Sequence, residues 1–81
     1  MSKLHESKLC MLLETFINGE NRSLNFAGEI ESAFAETFPD DERFEDLMYM
    51  LASYRPGGGE FLYNEEQLKK ECERVLRILR E

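Results

Sequence analysis

The chain has 81 residues, with 10 Lys and Arg against 17 Asp and Glu, and its formal net charge is -7 at pH 7. A chain of this length forms one small domain, so we expect a single unit over residues 1–81 with no separate substrate domain. The acidic balance argues against direct binding of a nucleic-acid backbone, which needs clustered Lys and Arg, and it favours a basic partner.

The N-terminal segment has neither the long apolar core nor the small-residue cleavage site of a signal peptide. No apolar run reaches the roughly 18 residues that a membrane span needs. We therefore expect a cytoplasmic protein without membrane association. Cys10 and Cys72 lie far apart and match no metal-ligand or CxxC spacing. They are expected to be reduced thiols that pack as small apolar side chains.

The first two predicted helices run from about Ser2 to Asn18 and from about Ser23 to Phe38. The first ends at Asn18-Gly19, and its apolar face consists of Leu9, Leu12, Leu13, Phe16 and Ile17. The second begins at a capping Ser23 and ends before Pro39, and its apolar stripe consists of Ala27, Ile30, Phe34 and Phe38. Gly28 interrupts this stripe, which indicates either close helix packing or an irregular helix.

The third predicted helix follows a cap at Asp40 or Asp41 and continues to Tyr54 or Arg55, just before Pro56. Its apolar positions are Phe44, Leu47, Met48, Leu51 and then Tyr54 or Arg55. The fourth begins at Asn64, which can form a capping box with Gln67. Its buried stripe is predicted to be Leu68, Cys72, Val75, Leu76 and Leu79.

Four amphipathic helices of about 14 to 18 residues, joined by short connections, favour an all-α fold. No connection shows the alternation of β-branched residues that predicts a strand. The usual way to bury four such stripes together is an antiparallel four-helix bundle, which is the predicted architecture.

The negative charge is concentrated in one part of the sequence. Between positions 29 and 46 eight acids face one base, Arg43, so this stretch carries the whole net charge of -7, while the flanking segments are balanced. The acids are Glu29, Glu31, Glu36, Asp40, Asp41, Glu42, Glu45 and Asp46. Some of them can cap the third helix, but the others lack the Lys or Arg four residues on that would pair them. The stretch therefore predicts a binding surface for a basic partner.

A second cluster surrounds the three glycines Gly57, Gly58 and Gly59 in the third connection. It consists of Tyr54, Arg55, Glu60, Phe61, Leu62, Tyr63, Glu65 and Glu66. Aromatic residues beside carboxylates on a loop are typical of an interface anchor with a charged rim. The alternative is that Phe61 or Leu62 closes the end of the core, which leaves Tyr63 and the glutamates available for a partner.

Residue patterns for catalysis are absent from the sequence. His5 is the only histidine, so a nucleophile with a neighbouring base, or a His-based metal site, has little support. The glycine run lacks the Lys-Ser/Thr of a phosphate-binding loop. We therefore expect no catalytic residues, no cofactor and no metal, and a protein that is not an enzyme.

The last third of the chain resembles a known family. Tyr54-Arg55-Pro56, a short loop and then Tyr63-Asn64-Glu65-Glu66-Gln67-Leu68 lead into an apolar stripe that ends at Leu79. This run resembles the small bacterial immunity proteins of the colicin D type, including those paired with contact-dependent inhibition toxins. Phe16-Ile17-Asn18-Gly19 after an amphipathic helix fits the same pattern.

The resemblance implies a four-helix protein without enzymatic activity that binds a cognate nuclease toxin, typically a tRNA-cleaving domain. Carboxylates would block the toxin's basic active cleft, and we expect a monomer in a 1:1 complex. By position, Glu60, Glu65 and Glu66 match the acidic part of the family's late loop, and Tyr54 matches its aromatic residue. The glycine run stands where relatives often carry charged residues, which shifts weight toward the acids of the third helix.

The residues expected to bind the toxin are Glu42, Glu45, Asp46, Tyr54, Glu60, Tyr63, Glu65 and Glu66. A second function fits the same surface: an acidic nucleic-acid mimic or small adaptor that occludes a basic site on another protein. Both interpretations use charge complementarity with a basic partner. The gene neighbourhood distinguishes them, because an immunity gene directly follows the coding region for the toxin's C-terminus.

Overall fold

A computed structural model describes residues 2–60 and 62–81, with side chains from Ser7 onward. Its four α-helices are α1 (Ser2–Ile17), α2 (Leu24–Thr37), α3 (Glu45–Ala52) and α4 (Glu65–Arg80), and a 3-10 turn at Glu42–Phe44 precedes α3. The described part of the chain contains two isolated β-bridges and no strand. The all-α prediction is confirmed, whereas the antiparallel order of the helices stays a prediction.

The predicted starts of α2 and α4 are confirmed by their capping hydrogen bonds. The Ser23 side chain accepts the backbone N–H of Phe26. At α4 the Asn64 side chain accepts the N–H of Gln67 at 3.0 Å, and the Gln67 side chain accepts the N–H of Asn64 at 2.9 Å. These short-range contacts satisfy backbone donors that have no partner inside the helix, so the local sequence alone sets where both helices begin.

The third helix is shorter than the sequence predicts. Asp41 caps the 3-10 turn by accepting the N–H of Arg43, and α3 then ends at Ala52, so its expected extension to Tyr54 or Arg55 is wrong. Ser53 and Arg55 instead pair with Tyr63: the Tyr63 N–H donates to the Ser53 carbonyl, and the Arg55 N–H donates to the Tyr63 carbonyl. This pairing satisfies the backbone just where the following proline disfavours helix.

The core lies between the four helices. Its buried apolar side chains are Leu9, Leu13, Phe16, Phe26, Ala27, Ile30, Phe34, Phe44, Leu47, Leu51, Tyr54, Leu68, Cys72, Val75 and Leu76. Cys72 is fully buried, and this burial raises the pKa of its thiol to about 12. Cys10 is half-buried, and neither cysteine forms a disulfide. Both thiols thus pack as the sequence predicts.

Neither close helix packing nor an irregular helix, the two explanations expected from the sequence, accounts for Gly28. Helix α2 is continuous through Gly28, and a Cβ atom placed there meets nothing within 4 Å. The residue lines an open groove between α1 and α2, together with Lys8 and Leu12. The position therefore accepts a larger side chain.

The described helices include none with the length and apolar character required to cross a membrane.

Candidate partner-binding surface

The acidic stretch of the sequence lies on the outside of the fold. Of its eight acids, Glu31 and Asp41 are half-exposed and the other six are exposed. Arg43 forms an ion pair with Asp41 at 2.7 Å. The hydrogen bonds from Arg43 hold the pKa of the Asp41 carboxyl below its ordinary value. Asp41 therefore has an internal partner, whereas most of the stretch presents carboxylates to solvent.

The short helix α3 carries two of the predicted binding residues. Glu45 and Asp46 are exposed in its first turn, opposite its buried residues Leu47 and Leu51. Arg74 on α4 approaches this face: its hydrogen bond with Glu71, and to a smaller extent the charge of Asp46, raise the guanidinium pKa. Asp46 therefore has a basic neighbour on another helix, which the sequence pattern did not indicate.

The exposed side of α3 also carries an aromatic residue that the sequence reading missed. Tyr49 is 65% exposed, and it lies one helical turn after Glu45 and Asp46. Its ring meets the half-buried Tyr63 ring edge to face, with centroids 6.1 Å apart. A sequence signal did exist, because an aromatic residue outside the apolar stripe of an acidic helix must face solvent.

Glu45, Asp46 and Tyr49 are exposed on α3, and Tyr63 contacts Tyr49; these four residues are called the α3 face. Tyr63 immediately precedes Asn64, the cap of α4, so the two tyrosines join the acids of α3 to the start of α4. Glu66, in the first turn of α4, is exposed. Glu42 is exposed in the 3-10 turn before α3, and Glu60 is exposed in the third connection. These three predicted residues lie on the elements that flank the α3 face.

Tyr54 does not belong to this surface, and its predicted place in an exposed cluster is wrong. It is 3% exposed, its ring packs edge to face with Phe16 at 5.4 Å, and its hydroxyl donates to the carbonyl of Arg22. Burial raises the pKa of Tyr54. The backbone pairing with Tyr63 holds Tyr54 beyond the end of α3, and its side chain enters the core there.

Glu65 has a structural contact within the predicted cluster. Its carboxylate accepts the backbone N–H of Gly57 at 2.9 Å, and this hydrogen bond holds the pKa of Glu65 below its ordinary value. Gly57 and Gly58 have φ angles of +85° and +77°, which glycine adopts without the steric cost of a Cβ atom. Glu65 therefore closes the glycine loop, and only part of its carboxylate is available to a partner.

The sequence predicts Phe61 or Leu62 as the residue that closes the end of the core. Leu62 is exposed and does not join the core, and Phe61 lies outside the described residues.

Two further observations bear on chemistry. Among residues 7–60 and 62–81, whose side chains the structure describes, no three His, Cys, Asp or Glu side chains come together in a way that could hold a metal ion. The surface acids combine with tyrosines, which supply large apolar area and a polar hydroxyl at low entropic cost.

Comparison of the chain with protein-family models, curated proteins and solved structures finds no match.

Proposed function

We propose that this protein is a bacterial immunity protein of the colicin D or contact-dependent inhibition type. It binds a cognate RNA-cleaving toxin as a monomer in a 1:1 complex and covers the toxin's basic active site. The observation that supports this proposal most strongly is the α3 face, where two contacting tyrosines lie between acids of α3 and the start of α4. The sequence resemblance described above supports the choice of partner.

Charge complementarity explains why such a surface suits an RNase. The active cleft of an RNase is lined by Lys and Arg that attract phosphates, and a row of fixed carboxylates is attracted to the same groups. Electrostatic attraction between the two proteins raises the rate of association, and it weakens as salt is added. The carboxylates in this account are those of Glu45 and Asp46, with Glu42, Glu60 and Glu66 around them.

Tyr49 and Tyr63 supply the part of the binding energy that charge alone does not. Interfaces concentrate their energy in a few residues, among which Tyr and Arg are enriched, and exposed charges around them contribute less. Two tyrosines that already touch lose little further side-chain freedom when a partner covers them. We therefore place the centre of the interface at this pair and the acids at its rim.

The test is an activity titration with the product of the gene immediately upstream. Its C-terminal domain is purified, its RNase activity is measured, and this protein is added in increasing amounts. We expect inhibition to be complete at one equivalent, and full activity to return when the complex is denatured and the toxin is refolded alone. An upstream product that shows no binding, or trace amounts of this protein that permanently inactivate excess toxin, would contradict the proposal.

A further inference from the structure

A small notch opens between the end of α2 and the side of α3, next to the α3 face. Its volume is about 350 Å³, near the lower end of the range of about 300–1,000 Å³ typical of ligand pockets. Apolar side chains of Ala35, Phe38 and Met48 contribute to its lining, and carboxylates of Asp40, Asp41 and Glu45 stand around them. The notch is thus suited to one long side chain with an apolar stem and a positive end.

The chain itself shows how a guanidinium binds at this place. Arg43 holds its guanidinium carbon 5.6 Å from the centre of the Phe38 ring and 4.9 Å from that of Phe44. It donates hydrogen bonds to both carboxylate oxygens of Asp41. An arginine over an aromatic ring, with a carboxylate beside it, is therefore already a stable arrangement at the wall of the notch.

Two carboxylates at the notch are exposed. Arg43 forms an ion pair with Asp41. Asp40 and Glu45 are exposed, and the apolar side chains that line the notch cannot neutralise their negative charge. Asp40 has a φ angle of +59°, which Asp tolerates better than most residues. The charge complementary to this pair is a cation.

We infer that the notch receives one arginine side chain of the partner, with its methylenes against Phe38 and Met48 and its guanidinium between Asp40 and Glu45. This inference rests on the proposed function and names the partner group that the surface next to the α3 face recognises. Arginine suits the site better than lysine, because its planar guanidinium carries several N–H donors that can bind two carboxylates at once. Its stem covers apolar surface while the charge stays at the rim.

The direct test is an NMR titration of the full chain with N-acetyl-arginine methylamide, and with N-acetyl-lysine methylamide at equal ionic strength as the comparison. We expect the arginine compound to shift the signals of Ala35, Asp40, Glu45 and Met48, and to bind at least about threefold more tightly than the lysine compound. Equal binding of the two compounds, or shifts spread over the whole acidic stretch, would overturn the inference.

Three variants locate the effect. Ala35→Trp fills the notch from an exposed position of α2, and Ser32→Trp adds the same bulk at an exposed position that lines the α1–α2 groove instead. We expect only Ala35→Trp to abolish the arginine-specific shifts. The double variant Asp40→Asn, Glu45→Gln removes the charge at exposed positions without added bulk, and it is expected to abolish the same shifts whether or not Ala35→Trp folds.

The same variants separate this inference from the proposed function. With the toxin domain, Ala35→Trp is expected to weaken binding at least about 30-fold, as loss of a hot-spot side-chain contact does, and Ser32→Trp less than about threefold. Wild-type affinity in a folded Ala35→Trp would refute the arginine site and leave the immunity function standing. Arginine-specific binding in the notch without any toxin binding would refute the immunity function and leave the site standing.

Discussion

Near each end of helix α2 an arginine lies over an aromatic ring, but the two arginines have different hydrogen-bond partners. At its start, Arg22 donates to the carbonyls of Phe16 and Ile17 at 2.8 Å each and lies 5.7 Å from the centre of the Phe16 ring. At its other end, Arg43 lies over aromatic rings too, but it is exposed and paired with an acid on the surface. We call these the closed end and the open end of the molecule.

The difference shows which charges hold the fold and which are available to a partner. At the closed end the guanidinium supplies hydrogen bonds to the last carbonyls of α1, which have no partner inside the helix. At the open end the neighbouring carboxylates point into solvent around an apolar notch. We therefore expect substitutions at the closed end to lower stability, and substitutions at the open end to lower partner binding.

The largest effect is expected at the closed end, from Tyr54→Ala. Loss of a fully packed aromatic ring leaves a cavity and should lower the free energy of unfolding by about 3–5 kcal/mol, a large fraction of the total for a small domain. Urea unfolding followed by circular dichroism measures this. Tyr49→Ala, an exposed aromatic of the same type, is the control and should cost about 1 kcal/mol or less. Equal losses would remove the distinction between a core tyrosine and a surface tyrosine.

A direct comparison of the two ends uses the two arginines. Arg22→Met keeps an apolar stem but removes the charged hydrogen bonds to α1, and it should lower the free energy of unfolding by about 1.5–3 kcal/mol. Arg43→Met removes a solvent-exposed ion pair and ring contact, which should cost about 1 kcal/mol. The same urea experiment compares them. A larger loss for Arg43→Met would reverse the assignment of the two ends.

How far the sequence predicts this molecule depends on the distance over which each feature is determined. Ser23, Asn64 and Gln67 were predicted correctly as caps, because each acts on a backbone group within three residues. The apolar stripes also follow from local periodicity, and they gave the four helices. These features need no knowledge of which helix packs against which.

The errors arise where distant segments pair. Tyr54 falls at the helical spacing of the apolar stripe of α3 and also in the loop cluster predicted to be exposed, and local sequence does not decide between the two places. Glu65 was treated as a surface acid, although its contact with Gly57 crosses the glycine loop. The notch next to the α3 face combines residues of α2 and α3, so no single helical pattern predicts it.

A smaller change in stability is expected at Gly28, in the middle of α2, and this substitution should stabilise the protein. Because a Cβ atom there meets nothing within 4 Å, Gly28→Ala should raise the free energy of unfolding by about 0.4–1 kcal/mol. Thermal unfolding measures the change, and α2 should retain its ends. A destabilised variant would mean that something covers Gly28 in solution.

The smallest expected effect is the pH dependence of the stability that Glu65 contributes by closing the glycine loop. The folded pKa of Glu65 lies below its ordinary value of 4.5, so its contribution to stability is fully present above that value and is lost as the pH falls through the folded pKa. The stability difference between the wild type and Glu65→Gln should therefore shrink on acidification. A difference that grows in acid would contradict the hydrogen bond to Gly57.

The central claim, that the α3 face binds a basic toxin, is tested most directly by calorimetric titration of the toxin domain with three forms of this protein. The wild type should bind 1:1. The triple variant Glu45→Lys, Asp46→Lys, Tyr49→Ala should lose at least about 100-fold in affinity while keeping its helical spectrum. A single charge reversal on α4, Glu73→Lys, should stay within about threefold of the wild type. Retained affinity in the folded triple variant, or loss only in Glu73→Lys, would contradict the claim.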